Sequence, residues 1–166
     1  SPAKINLFLH INSKRDDGYH NLQTIFQLLD FYDEINFSVR EDGEINRTLG
    51  NEDIPLANDL MIKSAKKLQK LSGVNLGVDI RIIKKIPSGG GLGGGSSNAA
   101  TTLMALNQLW GLELTKQQLI AIGKGIGADV PVFIEGQSSW AEGIGEILYP
   151  LNLPKYFYLV VSINKH

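Results

Sequence analysis

The stretch Pro87-Ser88-Gly89-Gly90-Gly91-Leu92-Gly93-Gly94-Gly95-Ser96-Ser97-Asn98-Ala99-Ala100 decides how the rest of the chain is read. Six of the chain's 18 glycines fall within positions 89 to 95. Glycine is used where the backbone takes positive φ or approaches a ligand closely. So loose a loop is entropically expensive to order, which calls for a reason. Before it, Leu76, Val78, Ile80 and Ile82 alternate, the period-two signature of a strand that ends near Lys84-Lys85. After it, Ala99, Ala100, Leu103, Leu106 and Trp110 mark the inner face of a helix over 98–110. A loop so placed aims free backbone N–H groups and the positive end of a helix dipole at one spot. That is an anion site, and phosphate is its usual occupant. Pro87, Ser88, Gly89, Gly90, Gly91, Leu92, Gly93, Gly94, Gly95, Ser96 and Ser97 are therefore candidate phosphate-binding residues. Ser96 and Ser97 can cap the helix, and either hydroxyl can reach a phosphate or a bound Mg²⁺.

Other readings of the loop fit less well. A Walker A loop needs G-x-x-x-x-G-K-[ST], and no lysine separates Gly95 from Ser96. Gly89-x-Gly91-x-x-Gly94 formally satisfies the dinucleotide pattern, but a glycine run satisfies almost any such pattern. That fold also requires a second strand ending in an acidic residue roughly 20 residues later. Here the helix runs on to Trp110, and the next element after Glu113 is another helix. A loop without any ligand is the third reading.

Upstream, residues 4 to 11 alternate, with Ile5, Leu7, Leu9 and Ile11 on one side and Lys4, Asn6, Phe8 and His10 on the other. This predicts a half-buried strand. A turn at Asp17-Gly18, strands over 24–29 and 35–39, a turn at Asp42-Gly43 and a weaker strand near Ile45 follow, which suggests antiparallel pairing. Asn58 or Asp59 can cap a helix with Leu60, Met61, Ala65, Leu68 and Leu71 inward. Thr115 with Gln118 forms a capping-box pattern, opening a helix that the glycines at 123, 125 and 127 end. Strands over 138–141 and 156–163 complete one α+β domain. The chain then stops directly after a strand, and so reads as cut rather than finished.

Hydrophobic residues make up 43% and charged residues 20%, an ordinary globular balance. A net charge of −1 provides no field for nucleic acid or an acidic membrane, so any anion is held by local geometry. The absence of cysteine excludes a disulfide scaffold, a thiolate nucleophile and a Cys-ligated metal. No apolar run approaches the ~20 residues that span a bilayer. No signal peptide is visible, although the chain opens at Ser1 without a methionine. The expectation is a cytoplasmic protein acting on a small molecule, with neither nucleic acid nor membrane as partner. Its near-neutral charge is compatible with a monomer or a homodimer.

The glycine-rich stretch resembles, in expanded form, the second motif of the GHMP kinases, P-x-x-x-G-L-G-S-S-A-A. Ser1-Pro2-Ala3-Lys4-Ile5-Asn6-Leu7 is similar to their first motif, and Arg15-Asp16-Asp17-Gly18-Tyr19-His20 lies at the matching distance. Gly127-Ala128-Asp129-Val130-Pro131-Val132-Phe133 completes a set of four in the right order. Together they resemble the branch that acts on 4-diphosphocytidyl-2-C-methyl-D-erythritol, over nearly the whole chain.

The resemblance implies that residues 1–166 are a GHMP kinase N-terminal, ATP-binding domain: α+β, with a mixed, mostly antiparallel sheet packed with helices. It implies ATP and Mg²⁺, and transfer of the γ-phosphoryl group to the C2 hydroxyl of the methylerythritol unit, a step of non-mevalonate isoprenoid synthesis. Asp129 would be the general base and Lys4 its partner. A positioned carboxylate accepts the hydroxyl proton as the phosphoryl group arrives, and a lysine beside it offsets charge on that group. Asn6 would contact the methylerythritol portion, Tyr19 would stack on the cytosine ring and His20 would hydrogen-bond the base. Where the family often opens its first long helix with Asn-Leu beside adenine, this chain departs with Asp59-Leu60, so Asp59, or Asn58 in its place, is the expected contact there. Lys84 would pack on the base or the phosphates, and Ser97 is the candidate metal ligand. The family's third motif, in a C-terminal domain, is absent from these 166 residues, so the chain alone is expected to have weak or no activity. Another GHMP small-molecule kinase, a non-catalytic nucleotide- or RNA-binding module of the same fold, and a dinucleotide-dependent oxidoreductase are the competing functions.

Overall fold

A computed structural model describes residues 1–161. Two long strands, β1 (Pro2–Lys14) and β2 (His20–Tyr32), pair as an antiparallel hairpin. β3 (Glu34–Arg40) and β4 (Ile45–Leu49) follow, then helix α1 (Leu60–Ser72) and β5 (Gly77–Ile83). Helix α2 (Gly94–Leu109) comes after the glycine-rich loop, then α3 (Lys116–Lys124), α4 (Val130–Glu135), β6 (Ser139–Glu142) and β7 (Ile147–Pro150). The strands form two sheets, ordered β1-β2-β6-β7 and β3-β5-β4. Every pairing is antiparallel except β4 with β5. The α+β expectation holds, with two sheets in place of one.

The alternation expected for residues 4 to 11 breaks in the middle. Asn6 pairs with Phe26 but Leu9 pairs with Thr24, so Leu7 and Phe8 together oppose a single residue. This is a β-bulge, and it exchanges the two faces of the strand. Directly paired residues share a face. Lys4 and Asn6 therefore lie on the face of Phe26 and Leu28, and beyond the bulge Leu9 and Ile11 take that face. Burial departs from expectation for a further reason, since residues 9 to 20 are exposed on both faces: Leu7, Leu9 and Ile11 are 42%, 49% and 64% exposed, and Lys4 only 5%.

One core unites Val78, Ile80 and Ile82 of β5 with Met61, Ala65 and Leu68 of α1, Leu103 and Leu106 of α2, Val132 and Phe133 of α4 and Phe26 of β2. Each such side chain contributes about 1.5–3 kcal/mol on burial. α2 is thus anchored firmly along its inner face, which steadies the loop that enters it. α3 has the capping box foreseen at Thr115 and Gln118. Gly123 lies inside α3 and does not end it. A Cβ there would stand 2.7 Å from Val130 Cγ1, so its absence lets α4 pack close.

Other boundaries move. α2 begins at Gly94, four residues before the expected start, and Leu71 of α1 is exposed while Ile62 and Ser64 are buried. β7 has no counterpart in the sequence reading. The strand expected over 156–163 is absent through residue 161, and the remainder lies outside the described residues. None of the described helices is long and apolar enough to cross a membrane.

Candidate active site

The glycine-rich loop joins β5 to α2 and has φ of 77°, 70° and 72° at Gly89, Gly91 and Gly93. Gly93 is the N-cap of α2, with no side chain capping the helix, and the first backbone bond runs from Ser97 N to Gly93 O at 2.8 Å. The amides of Gly94, Gly95 and Ser96 therefore have no partner inside the helix. They open at the positive end of the dipole into a cleft of about 270 Å³ lined by the loop, Lys84, Asn51, Ile54 and Leu60. Gly94 leaves room at the helix mouth, because a Cβ on it would lie 3.0 Å from Ile86 Cγ2 and 3.2 Å from Lys84 Nζ.

The loop is tied to β1. Lys4 N donates to Leu92 O at 2.9 Å, and Leu92 is buried against Ala3 and Ile86. The Lys4 side chain runs under Gly93, where a Cβ would meet Lys4 Cγ at 3.1 Å. Its ammonium lies 3.4 Å from Asp129 Oδ2, donates to Asn6 Oδ1 at 2.7 Å, and stands 5.2 Å from the centre of the Phe26 ring. Asn6 Nδ2 in turn donates to Thr24 Oγ1 at 2.8 Å, which fixes the amide's orientation. Asp129 is the N-cap of α4 yet makes no capping bond, so its carboxylate is left turned towards Lys4. The Lys4 side chain is 7% exposed and that of Asp129 32%, a buried cation beside a carboxylate that solvent or substrate can reach.

Behind the loop, Asp33 is buried and accepts from Lys85 N, Ile86 N and Lys84 Nζ. Burial pushes its carboxyl up, but the two amides and the Lys84 ammonium outweigh burial and hold it below the usual carboxylate range.

Residues 59–137 match the family described as GHMP kinases N terminal domain. A relative from Ruthia magnifica subsp. Calyptogena magnifica, named 4-diphosphocytidyl-2-C-methyl-D-erythritol kinase, is 64% identical over all of this chain and 58% of its own length. One of the same name from Cupriavidus metallidurans is 51% identical over all of this chain and 57% of its own length. The crystal structure titled 4-(cytidine 5'-diphospho)-2C-methyl-D-erythritol kinase superposes with TM-score 0.79 at 38% identity, over 92% of this chain and 54% of that one. The chain has the fold of a GHMP kinase N-terminal domain. A mevalonate kinase from Methanococcus jannaschii, at 16% identity and TM-score 0.66 over 92% of this chain and 54% of that one, shares that fold. The chain spans a little over half the length of the curated relatives it matches.

Within this GHMP fold, the structure brings Lys4, Asn6, Asp129, Lys84, Ser96 and the glycine-rich loop together. Two expected residues take other places. Asp59 does not face the cleft, being 1% exposed: its Oδ1 caps α1 through Met61 N at 2.8 Å, and its Oδ2 accepts from Arg47 Nη1 at 2.6 Å and Asn51 Nδ2 at 3.1 Å. Asn51, Ile54 and Leu60 occupy the wall expected of it, and Asn51 at φ 62° follows a glycine, a turn signal with no functional label. Ser97, the candidate metal ligand, is fully buried and accepts from Ser1 Oγ at 2.9 Å. Ser96 is the serine that lines the cleft, and a Cβ on Gly127 would lie 3.5 Å from its hydroxyl. Neither serine caps the helix, because each lies within its first turn.

Tyr19 and His20 are not brought to this cluster. They lie at the tip of the β1–β2 hairpin, where His20 pairs with Lys14, and Tyr19 is 57% exposed. A larger cleft of about 860 Å³ between β2 and residues 153–160 shares only Pro87 and Leu92 with the loop and has no part of the Lys4–Asp129 pair. Among the described residues no group of three His, Cys, Asp or Glu is placed to hold a metal.

Proposed function

We propose that this chain is the nucleotide-binding part of an ATP-dependent kinase that phosphorylates the C2 hydroxyl of 4-diphosphocytidyl-2-C-methyl-D-erythritol. The observation that carries the reading is the Lys4–Asp129 pair, held at 3.4 Å and joined through the Lys4 amide to the phosphate-sized cradle at the start of α2. The curated relatives of that name, identical at half or more of the positions, support the substrate.

Phosphoryl transfer asks little covalent chemistry of a protein and depends on positioning and charge. The amides of Gly94, Gly95 and Ser96 hold the β- and γ-phosphates, and Lys84 lies at the same helix end. Asp129 accepts the proton of the acceptor hydroxyl as its oxygen bonds the γ-phosphorus, while the bond from that phosphorus to the β–γ bridging oxygen breaks and ADP leaves. Lys4, already oriented by Asn6, pairs with that carboxylate and offsets charge on the moving group. Asn6 contacts the methylerythritol unit, while Tyr19 and His20 at the hairpin tip receive the cytidine end. Mg²⁺ fits a site with no carboxylate cluster, since it is held largely by nucleotide phosphates with one or two protein oxygens. The Ser96 hydroxyl, which lines the cleft, is the residue that would hold it, and it would supply neutralisation of phosphate charge. We assign the protein to the cytoplasm, where ATP is at hand. The further length of its relatives is the part expected to close over the substrates.

The test is ATP turnover by the full-length protein with Mg²⁺ and 4-diphosphocytidyl-2-C-methyl-D-erythritol, beside Asp129→Asn. Loss of a general base lowers turnover by about 10²–10⁴, with ATP affinity little changed. Substrate-dependent turnover that survives in Asp129→Asn overturns the role of Asp129. No turnover in folded wild-type protein overturns the substrate.

A further inference from the structure

Asp33 belongs to none of the four motifs, yet its carboxylate is buried and fully engaged behind the loop. It fills the single position between β2 and β3 and is 1% exposed. Its Oδ1 accepts from Lys85 N at 2.7 Å and Ile86 N at 2.8 Å, and its Oδ2 from Lys84 Nζ at 2.5 Å. All three donors come from the segment that leaves β5 and enters the glycine-rich loop. The backbone of Asp33 is held in turn by β1's approach, its N–H donating to Ser1 O at 3.0 Å.

Two amide bonds would suffice to fix the path of residues 85 and 86. The third bond is to a side chain that faces the cleft. Lys84 is 22% exposed, lines the cleft, and stands within 3.2 Å of where a Gly94 Cβ would be. An ammonium at the N-terminus of a helix meets partial charge of its own sign. Without an anion between them, a flexible lysine gains by swinging out to solvent. A buried carboxylate behind it removes that incentive and keeps the ammonium at the helix end before any phosphate arrives. Asp33 is itself buried without penalty only because these donors surround it.

We propose that Asp33 is a positioning residue for the nucleotide: it holds the Lys84 ammonium at the mouth of α2, so that the phosphates of ATP meet a cation already in place. The inference rests on the kinase reading above. Asp33 does not touch the nucleotide and acts through Lys84 alone.

A double-mutant cycle in the full-length protein tests this, because groups acting through one another are not additive. Lys84→Met and Asp33→Asn are each expected to raise KM for ATP about tenfold, the loss of one charge-assisted contact, with kcat changed by less than about threefold. The double variant is expected to be no worse than either single one. Effects that multiply to about a hundredfold assign Asp33 a general structural role and overturn the inference, as does an unchanged KM in Lys84→Met. If Asp33→Asn alone does not fold, the double variant, with both charges removed, is compared with Lys84→Met. Equal KM supports the inference, and a further tenfold rise overturns it. Wild-type turnover is the control: its absence defeats the kinase reading, while its presence with multiplying effects defeats only the role of Asp33.

Discussion

Replacing Gly93 by alanine tests the packing of the loop against the Lys4–Asp129 pair. Gly93 has φ 72°, and a Cβ there would lie 2.8 Å from Phe133 Cζ, 3.0 Å from Phe133 Cε2 and 3.1 Å from Lys4 Cγ. A left-handed conformation costs a non-glycine residue about 1–2 kcal/mol. The lower entropy of the unfolded alanine chain offsets about 0.4–1 kcal/mol of that. Forcing a methyl into a packed site adds about 1–3 kcal/mol. Phe133 is 3% exposed on α4 and Lys4 is held by Asn6 and Asp129, so neither yields easily. Gly91 isolates the first two contributions, because its φ is 70° but nothing lies within 4 Å of its Cβ position. We expect Gly91→Ala to destabilise by about 1 kcal/mol and Gly93→Ala by about 2–4 kcal/mol. Urea unfolding of the full-length proteins, followed by tryptophan fluorescence, provides both values. Equal losses in the two variants would refute the close contact between the loop and Phe133.

Asp59→Ala breaks a buried ion pair and a helix cap together, and is expected to lose about 3–5 kcal/mol. Thermal melting should show that loss, and a variant that keeps its Tm but loses ATP affinity would restore Asp59 to the base-binding wall. Asp33 is held below its ordinary value of 3.8, so it stabilises the fold above that pH, and the contribution disappears as pH falls through its lower folded value. Between pH 5 and the acid limit, stability should thus fall less steeply in Asp33→Asn, and parallel curves would contradict the assignment. Gly123→Ala pushes on Val130, next to Asp129, and on Ile134, with a Cβ 2.7 Å and 2.8 Å from their atoms. It is expected to lower kcat more than it raises KM for ATP, which steady-state kinetics at varied ATP will show.

Much of the fold was legible because local signals agreed with the tertiary structure. The capping box at Thr115, the inner face of α2 and the alternation of β5 each needed only a period and a cap. The β1 alternation misled because a bulge leaves no mark in a run of apolar and polar residues, and because beyond residue 8 the strand is exposed on both faces. The start of α2 was set too late because glycine's low helix propensity argues against Gly94 and Gly95, and the steric reason for Gly94 lies in Ile86 and Lys84. At the site, Lys4 and Asp129 could be paired only through motif resemblance, since 125 positions separate them. Asp33 was invisible: an aspartate between two strands reads as a turn residue, and its three donors lie about fifty residues downstream. Asp59 was assigned to the wrong wall because the sequence does not reveal that Arg47 and Asn51 would claim its carboxylate.

Lys4 is bound twice over, by its amide to the loop at Leu92 and by its ammonium to Asp129. The separation between the nucleotide cradle and the carboxylate is therefore measured out within one amino acid, along the bonds from its own nitrogen to its own Nζ. Length changes in loops that touch neither Lys4 nor its partners leave that gauge intact. A deletion or insertion between residues 4 and 6 does not, because it would turn the ammonium to the opposite face of the sheet and break both ends of the measure at once. Arginine at position 4 would keep the charge but overrun the length. The spacing of donor and acceptor is in this sense inherited as a single codon.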